Sequence, residues 1–150
     1  NFYFQGNTIF HLACQNNRMD MVLLLSSRKD LRFNTKNKRD DTAFESACYR
    51  GHIEIIQFLI SRDNFDVNKE YKKGQTALHI ACRQGYVEIA KLLGAREEVN
   101  INAKDRAGRN ALHHACETKK SEIVELLISW DDMNVNARDF VCYELIFRMQ

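Results

Sequence analysis

Apolar residues return along the chain in short clusters with one internal spacing. Met21, Val22, Leu24 and Leu25 are followed by Ile55, Ile56, Phe58 and Leu59, then Ile89, Ala90, Leu92 and Leu93, then Ile123, Val124, Leu126 and Leu127. Offsets of one, three and four place each set on one stripe of a helix, which is expected to face a neighbouring element. Glu54, Glu88 and Glu122, with Gln57, Lys91 and Glu125, fall on the opposite side and are expected to be wet. A second, shorter apolar segment precedes each cluster and begins after Thr8, Thr42, Thr76 or Asn110. These four read as N-caps, because their side-chain oxygens can accept from the free amides of a first helical turn. The pattern therefore predicts paired helices. Gly51 and Gly85 lie between the members of their pairs, where a left-handed residue ends a helix cheaply. The equivalent positions hold Asn17 and Lys119, and Lys119 is expected to strain its turn.

The pairs are copies of one unit. Thr8-Ile9-Phe10-His11-Leu12-Ala13-Cys14, Thr42-Ala43-Phe44-Glu45-Ser46-Ala47-Cys48, Thr76-Ala77-Leu78-His79-Ile80-Ala81-Cys82 and Asn110-Ala111-Leu112-His113-His114-Ala115-Cys116 stand 34 residues apart. Phe33-Asn34, Val67-Asn68, Ile101-Asn102 and Val135-Asn136 keep the same register. This combination resembles the ankyrin repeat, with its Thr-Pro-Leu-His-x-Ala phrase, second helix and Val-Asn turn. The proline is replaced by Ile9, Ala43, Ala77 and Ala111, which weakens preorganisation at the first helical position without weakening helix propensity. The resemblance implies an all-α solenoid of paired antiparallel helices with protruding β-turn tips. It divides the chain into four repeats over residues 7–139 and a partial fifth repeat or C-terminal cap over 140–150. Leu145, Ile146, Phe147 and Met149 in that last segment favour a fragment of a longer array over a polar cap. Residues 1–6 read as the remnant of an expression linker, although Gly6 occupies the place before Asn7-Thr8 that Gly74 occupies before Gln75-Thr76.

Composition narrows the function classes only slightly. Charged residues make up 28% and the net charge is +2, too small by itself to imply a nucleic-acid binder. No apolar run has the length of a membrane span, and a secretory signal is not evident.

Five cysteines invite a metal or redox reading, but Cys14, Cys48, Cys82 and Cys116 share one repeat position, with Cys142 outside the series. Packed helices lie roughly 8–10 Å apart, too far for equivalent thiols to share a zinc or pair as disulfides. Each is expected to fill a small buried slot, and reduced thiols in this number fit the cytoplasm or nucleus. His11, His79 and His113 recur in the cap phrase, where the resemblance implies a hydrogen-bond network with the adjoining turn. Three equivalent positions a repeat apart do not converge on one catalytic site. His52 matches the Gly-His start of the family's second helix, and His114, directly after His113, points away from it. No enzyme activity, cofactor or metal is expected.

Recognition is left to the residues that do not repeat. By resemblance, partners lie along the tips and the exposed face of the first helices. The tips carry Lys38-Arg39, Lys72-Lys73, Arg106-Ala107 and Phe140-Val141, and the first helices add Gln15-Asn16, Tyr49-Arg50, Arg83-Gln84 and Glu117-Thr118. Tyr49, Arg50, Tyr71, Lys72, Lys73, Arg83 and Arg106 are the candidate partner-binding residues. A basic strip with interleaved tyrosines suits an acidic or phosphorylated protein segment. A regulatory or docking part of a larger enzyme or channel is the alternative. A nucleic-acid platform is disfavoured because Asp40, Asp41, Glu70 and Asp105 interrupt the strip. Asn102-Ala103 and Asn136-Ala137 also resemble sites of asparagine hydroxylation in the family, against a plain turn-forming role.

Overall fold

A computed structural model of the protein describes residues 6–62, 65–118 and 121–139. The chain forms two compact units, residues 1–66 and 67–150. The expectations for Lys119, the Phe140-Val141 tip, Cys142, the partial fifth repeat and the linker residues 1–5 lie outside the described residues.

The first unit contains α1 (Ile9–Gln15), α2 (Met19–Ser26), α3 (Ala43–Arg50) and α4 (Ile53–Ile60). Each pair folds on itself, and α1 packs on α3 while α2 meets α4. Thr8 and Thr42 cap the first helices: Thr8 Oγ1 accepts from His11 N–H at 3.3 Å, and Thr42 Oγ1 from Glu45 N–H at 3.2 Å. Gly51, at φ 74°, ends α3 in the left-handed region, and Asn17, at φ 53°, does the same work in the first pair. Phe10, Ala13, Cys14, Val22, Phe44, Cys48, Ile55 and Leu59 form the core. Two edge-on aromatic contacts extend it under the following loops, Phe10 with Phe33 at 5.4 Å and Phe44 with Phe65 at 4.7 Å.

The second unit repeats the plan with α5 (Ala77–Gln84), α6 (Val87–Gly94), α7 (Ala111–Cys116) and α8 (Ser121–Ile128), preceded by a 3₁₀ turn at Lys72–Gly74. Here α5 packs on α7 and α6 on α8. Gly85 closes α5 at φ 73°. Ile80, Ile89, Leu93, Ile123 and Leu127 are buried, and Glu54, Gln57, Glu88, Lys91, Glu122 and Glu125 are exposed as the helix pattern requires.

Three expectations are corrected. The protruding β-turn tips are not present: no β-strand forms among the described residues, and Lys36 and Thr42 make only an isolated bridge. The amides that would return a ladder bond go elsewhere, Asp41 N–H to Asn37 Oδ1, Arg109 N–H to Asp105 Oδ1 and Gln75 N–H to Lys72 O. The apolar stripe of α2 is not covered along its whole length, since Val22 is buried but Met21 and Leu24 are exposed. The cysteine slot is buried at Cys14, Cys48 and Cys82 but open at Cys116, the last residue of α7.

Candidate partner-binding site

The loops that carry the candidate residues share one closure. Asn37 N–H donates to Asp41 O at 2.9 Å, Tyr71 N–H to Gln75 O at 2.8 Å and Asp105 N–H to Arg109 O at 2.9 Å. Between these anchors the chain passes through a left-handed residue, Asp40 at φ 66°, Gly74 at φ 71° and Gly108 at φ 78°. Lys73 is also left-handed at φ 60°, a conformation that costs a residue with a Cβ about 1 kcal/mol. Its carbonyl accepts the N–H of Arg106 at 2.8 Å, so two successive loops of the second unit are joined main chain to main chain. A methyl group on Gly74 would meet Arg106 N and Cγ at 3.1 Å, which shows how closely they approach.

In the first unit, a cleft of about 160 Å³ is lined by Gln15, Arg39, Asp41, Tyr49 and Arg50 among others. Tyr49 is half-buried and Arg50 exposed at the end of α3. Arg39, outside the candidate set, stands in the same cleft. Its signal was available: it shares the register of Lys73. In the second unit Lys73 and Arg106 are exposed, and Lys72 and Arg83 are half-buried. Tyr71 departs from the expected exposed position, with only 8% of its surface accessible. It opens the loop at the position of Asn37 and Asp105, where the chain turns inward to form the closing bond. The candidates therefore belong to two separate sets, Tyr49 and Arg50 in one unit and the remaining five in the other.

The recurrent histidines act in the scaffold. His11 Nε2 lies 3.1 Å from Asp41 O, and His79 Nε2 lies 3.1 Å from Arg109 O. A carbonyl only accepts, so each Nε2 carries the proton and Nδ1 is left to accept from the cap residue's own N–H, at 3.2 Å from Thr8 and 3.0 Å from Thr76. One ring thus ties a helix start to the next loop. His52 Nε2 similarly reaches Gln15 O at 3.2 Å. His114 was expected only to avoid His113; the structure places it, fully buried, with Nε2 2.9 Å from Asp105 Oδ2 and its ring edge-on to His79 at 5.3 Å. Asp105 also takes the Arg109 guanidinium at 3.1 Å, and Arg109 continues to Glu117 at 2.8 Å.

These environments set the protonation states. Burial, with the His114 ring beside it, lowers His79 to about 4. Burial also lowers His114 below the ordinary imidazole value, against the opposing bond from Asp105. Burial pushes the Asp105 carboxyl up, but the Arg109 and Ala107 amides, the His114 bond and the Arg109 charge together hold it below the usual carboxylate range. The Cys14 and Cys82 thiols are raised by burial to about 12, far from reactive thiolates. Among the described residues, no group of three or more His, Cys, Asp or Glu side chains is placed to hold a metal ion, and no helix is long and apolar enough to cross a membrane.

The turn asparagines form side-chain links between successive loops. Asn102 Nδ2 donates to Asp132 O at 2.6 Å, and its Oδ1 accepts from Asn134 N–H at 2.8 Å. Asn68 makes the same pair of bonds to Glu98 O and Asn100 N–H. Asn136 N–H donates to Asn134 Oδ1 at 3.0 Å. A family model described as ankyrin repeats, in three copies, matches residues 1–71 and 47–139. No curated protein matches the chain.

Proposed function

Because the chain belongs to the ankyrin repeat family, a non-catalytic family of protein-interaction scaffolds, we propose that its loops and adjoining first-helix faces hold an acidic or phosphorylated segment of a partner protein. The observation that carries this reading is the Lys73 O to Arg106 N–H bond, which fixes two exposed cationic residues side by side on joined backbone. Preset spacing lowers the ordering cost of binding. Arginine presents a planar fork to carboxylate or phosphate, and lysine adds a mobile point charge. Lys72 precedes Lys73 in the same loop, and Arg83 lies in the last turn of α5 in the same unit. Arg39, Arg50 and Tyr49 form a second basic contact around the first unit's cleft. Binding is by shape and charge, with no bond made or broken.

The test is a fluorescence-anisotropy titration with a labelled glutamate-rich peptide and its phosphoserine counterpart. The paired substitution Lys73→Glu and Arg106→Glu should weaken binding at least about tenfold, an effect expected when two charge-assisted contacts become repulsive. Unchanged affinity with intact helical circular dichroism would remove this surface from consideration. Short DNA or RNA binding as tightly as the peptides at low salt would overturn the protein-segment reading.

A further inference from the structure

Asp105 does two jobs, and only one of them belongs to the turn. Its Oδ1 accepts the N–H groups of Ala107 and Arg109 at 2.9 and 3.0 Å, and Asn37 Oδ1 takes those of Arg39 and Asp41 at the same two distances. A neutral amide therefore suffices to shape such a loop. The second oxygen, Oδ2, meets His114 Nε2 at 2.9 Å and is shared with the Arg109 guanidinium.

His114 is not a residue that helix packing requires. Its position holds Leu12, Ser46 and Ile80 in α1, α3 and α5. The ring is fully buried, and its Nδ1 has no hydrogen-bond partner among the described residues. A buried carboxylate and a half-satisfied imidazole both oppose folding, and well-packed apolar side chains of similar volume often replace such pairs without loss of stability. What the pair adds is a hold on the loop.

That hold falls one residue before Arg106. His79 Nε2 ties the far end of the loop at Arg109 O, and Glu117 takes the Arg109 guanidinium. His114 ties the near end at Asp105, so Arg106 follows directly on a side chain anchored in the middle of α7. Arg106 N–H in turn donates to Lys73 O at 2.8 Å. In the loop that carries Lys73, the registers of Asp105 and His114 hold Tyr71 and Ile80, and an isoleucine side chain has no proton to donate. The anchored loop thus steadies the other along the path His114, Asp105, Arg106, Lys73.

From this geometry we infer that His114 is a positioning residue for recognition: through Asp105 it fixes the Arg106 backbone, and through Arg106 the Lys73 backbone, at the spacing that holds an anionic partner segment. The inference rests on the binding role proposed above for Lys73 and Arg106. His114 itself is fully buried and meets no partner.

His114→Ile tests it, because it gives α7 the side chain that α5 carries at Ile80 and removes no charge from the surface. The unfolding midpoint should be unchanged or higher. Affinity for the glutamate-rich and phosphoserine peptides should nevertheless fall about three- to tenfold, because loosened cationic side chains must be ordered on binding. The Arg106 amide should exchange with solvent deuterium at least about tenfold faster while the amides of α5 stay protected. His114→Gln, which keeps an N–H donor toward Asp105, should restore both affinity and protection. A folded His114→Ile protein that binds as the parent does overturns the inference. Loss of its helical signal does so too, since the bond then serves the fold. Unchanged affinity on reversing the charges of Lys73 and Arg106 overturns the binding reading and this inference with it, whereas the first two results overturn the inference alone.

Discussion

Lowering the pH from about 7 to about 5 should destabilise the second unit through one buried ring more than through any carboxylate. The folded pKa of His79 is about 4, depressed first by burial and then by the neighbouring His114. In the unfolded chain an imidazole titrates near 6.5. Below about 6.5 the unfolded state therefore binds a proton that the native ring refuses, and stability falls as pH drops until the native ring also protonates near 4. Linkage across that interval gives a loss of about 2 kcal/mol by pH 5 and about 3 kcal/mol in the limit. His114 shifts in the same direction and adds to the loss. Asp105 has the opposite sign: its depressed pKa contributes stability above the unfolded carboxylate value near 3.9, which is lost only at lower pH. The upper window belongs to the histidines. Urea unfolding followed by the fluorescence of Trp130, the chain's single tryptophan and a member of the same unit, measures the effect. His79→Gln retains a side chain able to serve the cap and removes the titration. It should be less stable at neutral pH but lose about 2 kcal/mol less than the parent between pH 7 and 5. Equal losses in parent and variant would refute the assignment.

A methyl at Gly94, the last residue of α6, would overlap Cζ2 and Cη2 of the Trp130 ring, so Gly94→Ala must displace the indole. The about 1 kcal/mol gained in helix propensity should be outweighed, giving a net loss of about 1–2 kcal/mol and a red-shifted emission; an unshifted spectrum with higher stability would contradict the contact. Asn102→Ala removes both side-chain bonds to the following loop and should cost about 1–3 kcal/mol in denaturant unfolding, a neutral result counting against the link. Thr42→Ala deletes the α3 cap and should cost about 1 kcal/mol by the same measurement. In a Cys142→Ser background, Ellman's reagent should label one thiol, Cys116, in the native protein and the three buried thiols only on unfolding; fast native labelling of Cys14 or Cys82 would contradict their elevated pKa values.

The helices were legible because the same residues that define the period also do the local work. Thr8 and Thr42 cap, Gly51 and Gly85 terminate, and Ile55 and Ile89 bury one stripe. The loops were less legible, because a period says where a turn falls but not who accepts its amides. Asn37 and Asp105 accept them here, so the expected β geometry does not develop, and Tyr71 at the same register is drawn inward. His114 shows a related limit. Its position holds Leu12, Ser46 or Ile80 in the other repeats, and a polar residue there reads as surface until Asp105 is seen to meet it. The only available signal was an acidic residue in the loop just ahead.

A division between periodic residues for folding and irregular residues for recognition explains Lys73 and Arg106, but it fails at Ile9, Leu12 and Met21. These occupy periodic positions and yet face solvent. Burial belongs to a position and its neighbour together, so a repeat's sequence specifies a stacking surface whether or not the stacked partner is present. The exposed face of α1–α2 that they form is thus a different kind of surface from the basic loops, apolar and shaped by the repeat register. The loops gain their specificity from residues that the repeat leaves unconstrained. Two substitutions separate these surfaces, since Leu12→Glu should leave binding of an acidic peptide untouched, whereas Arg106→Glu should weaken it.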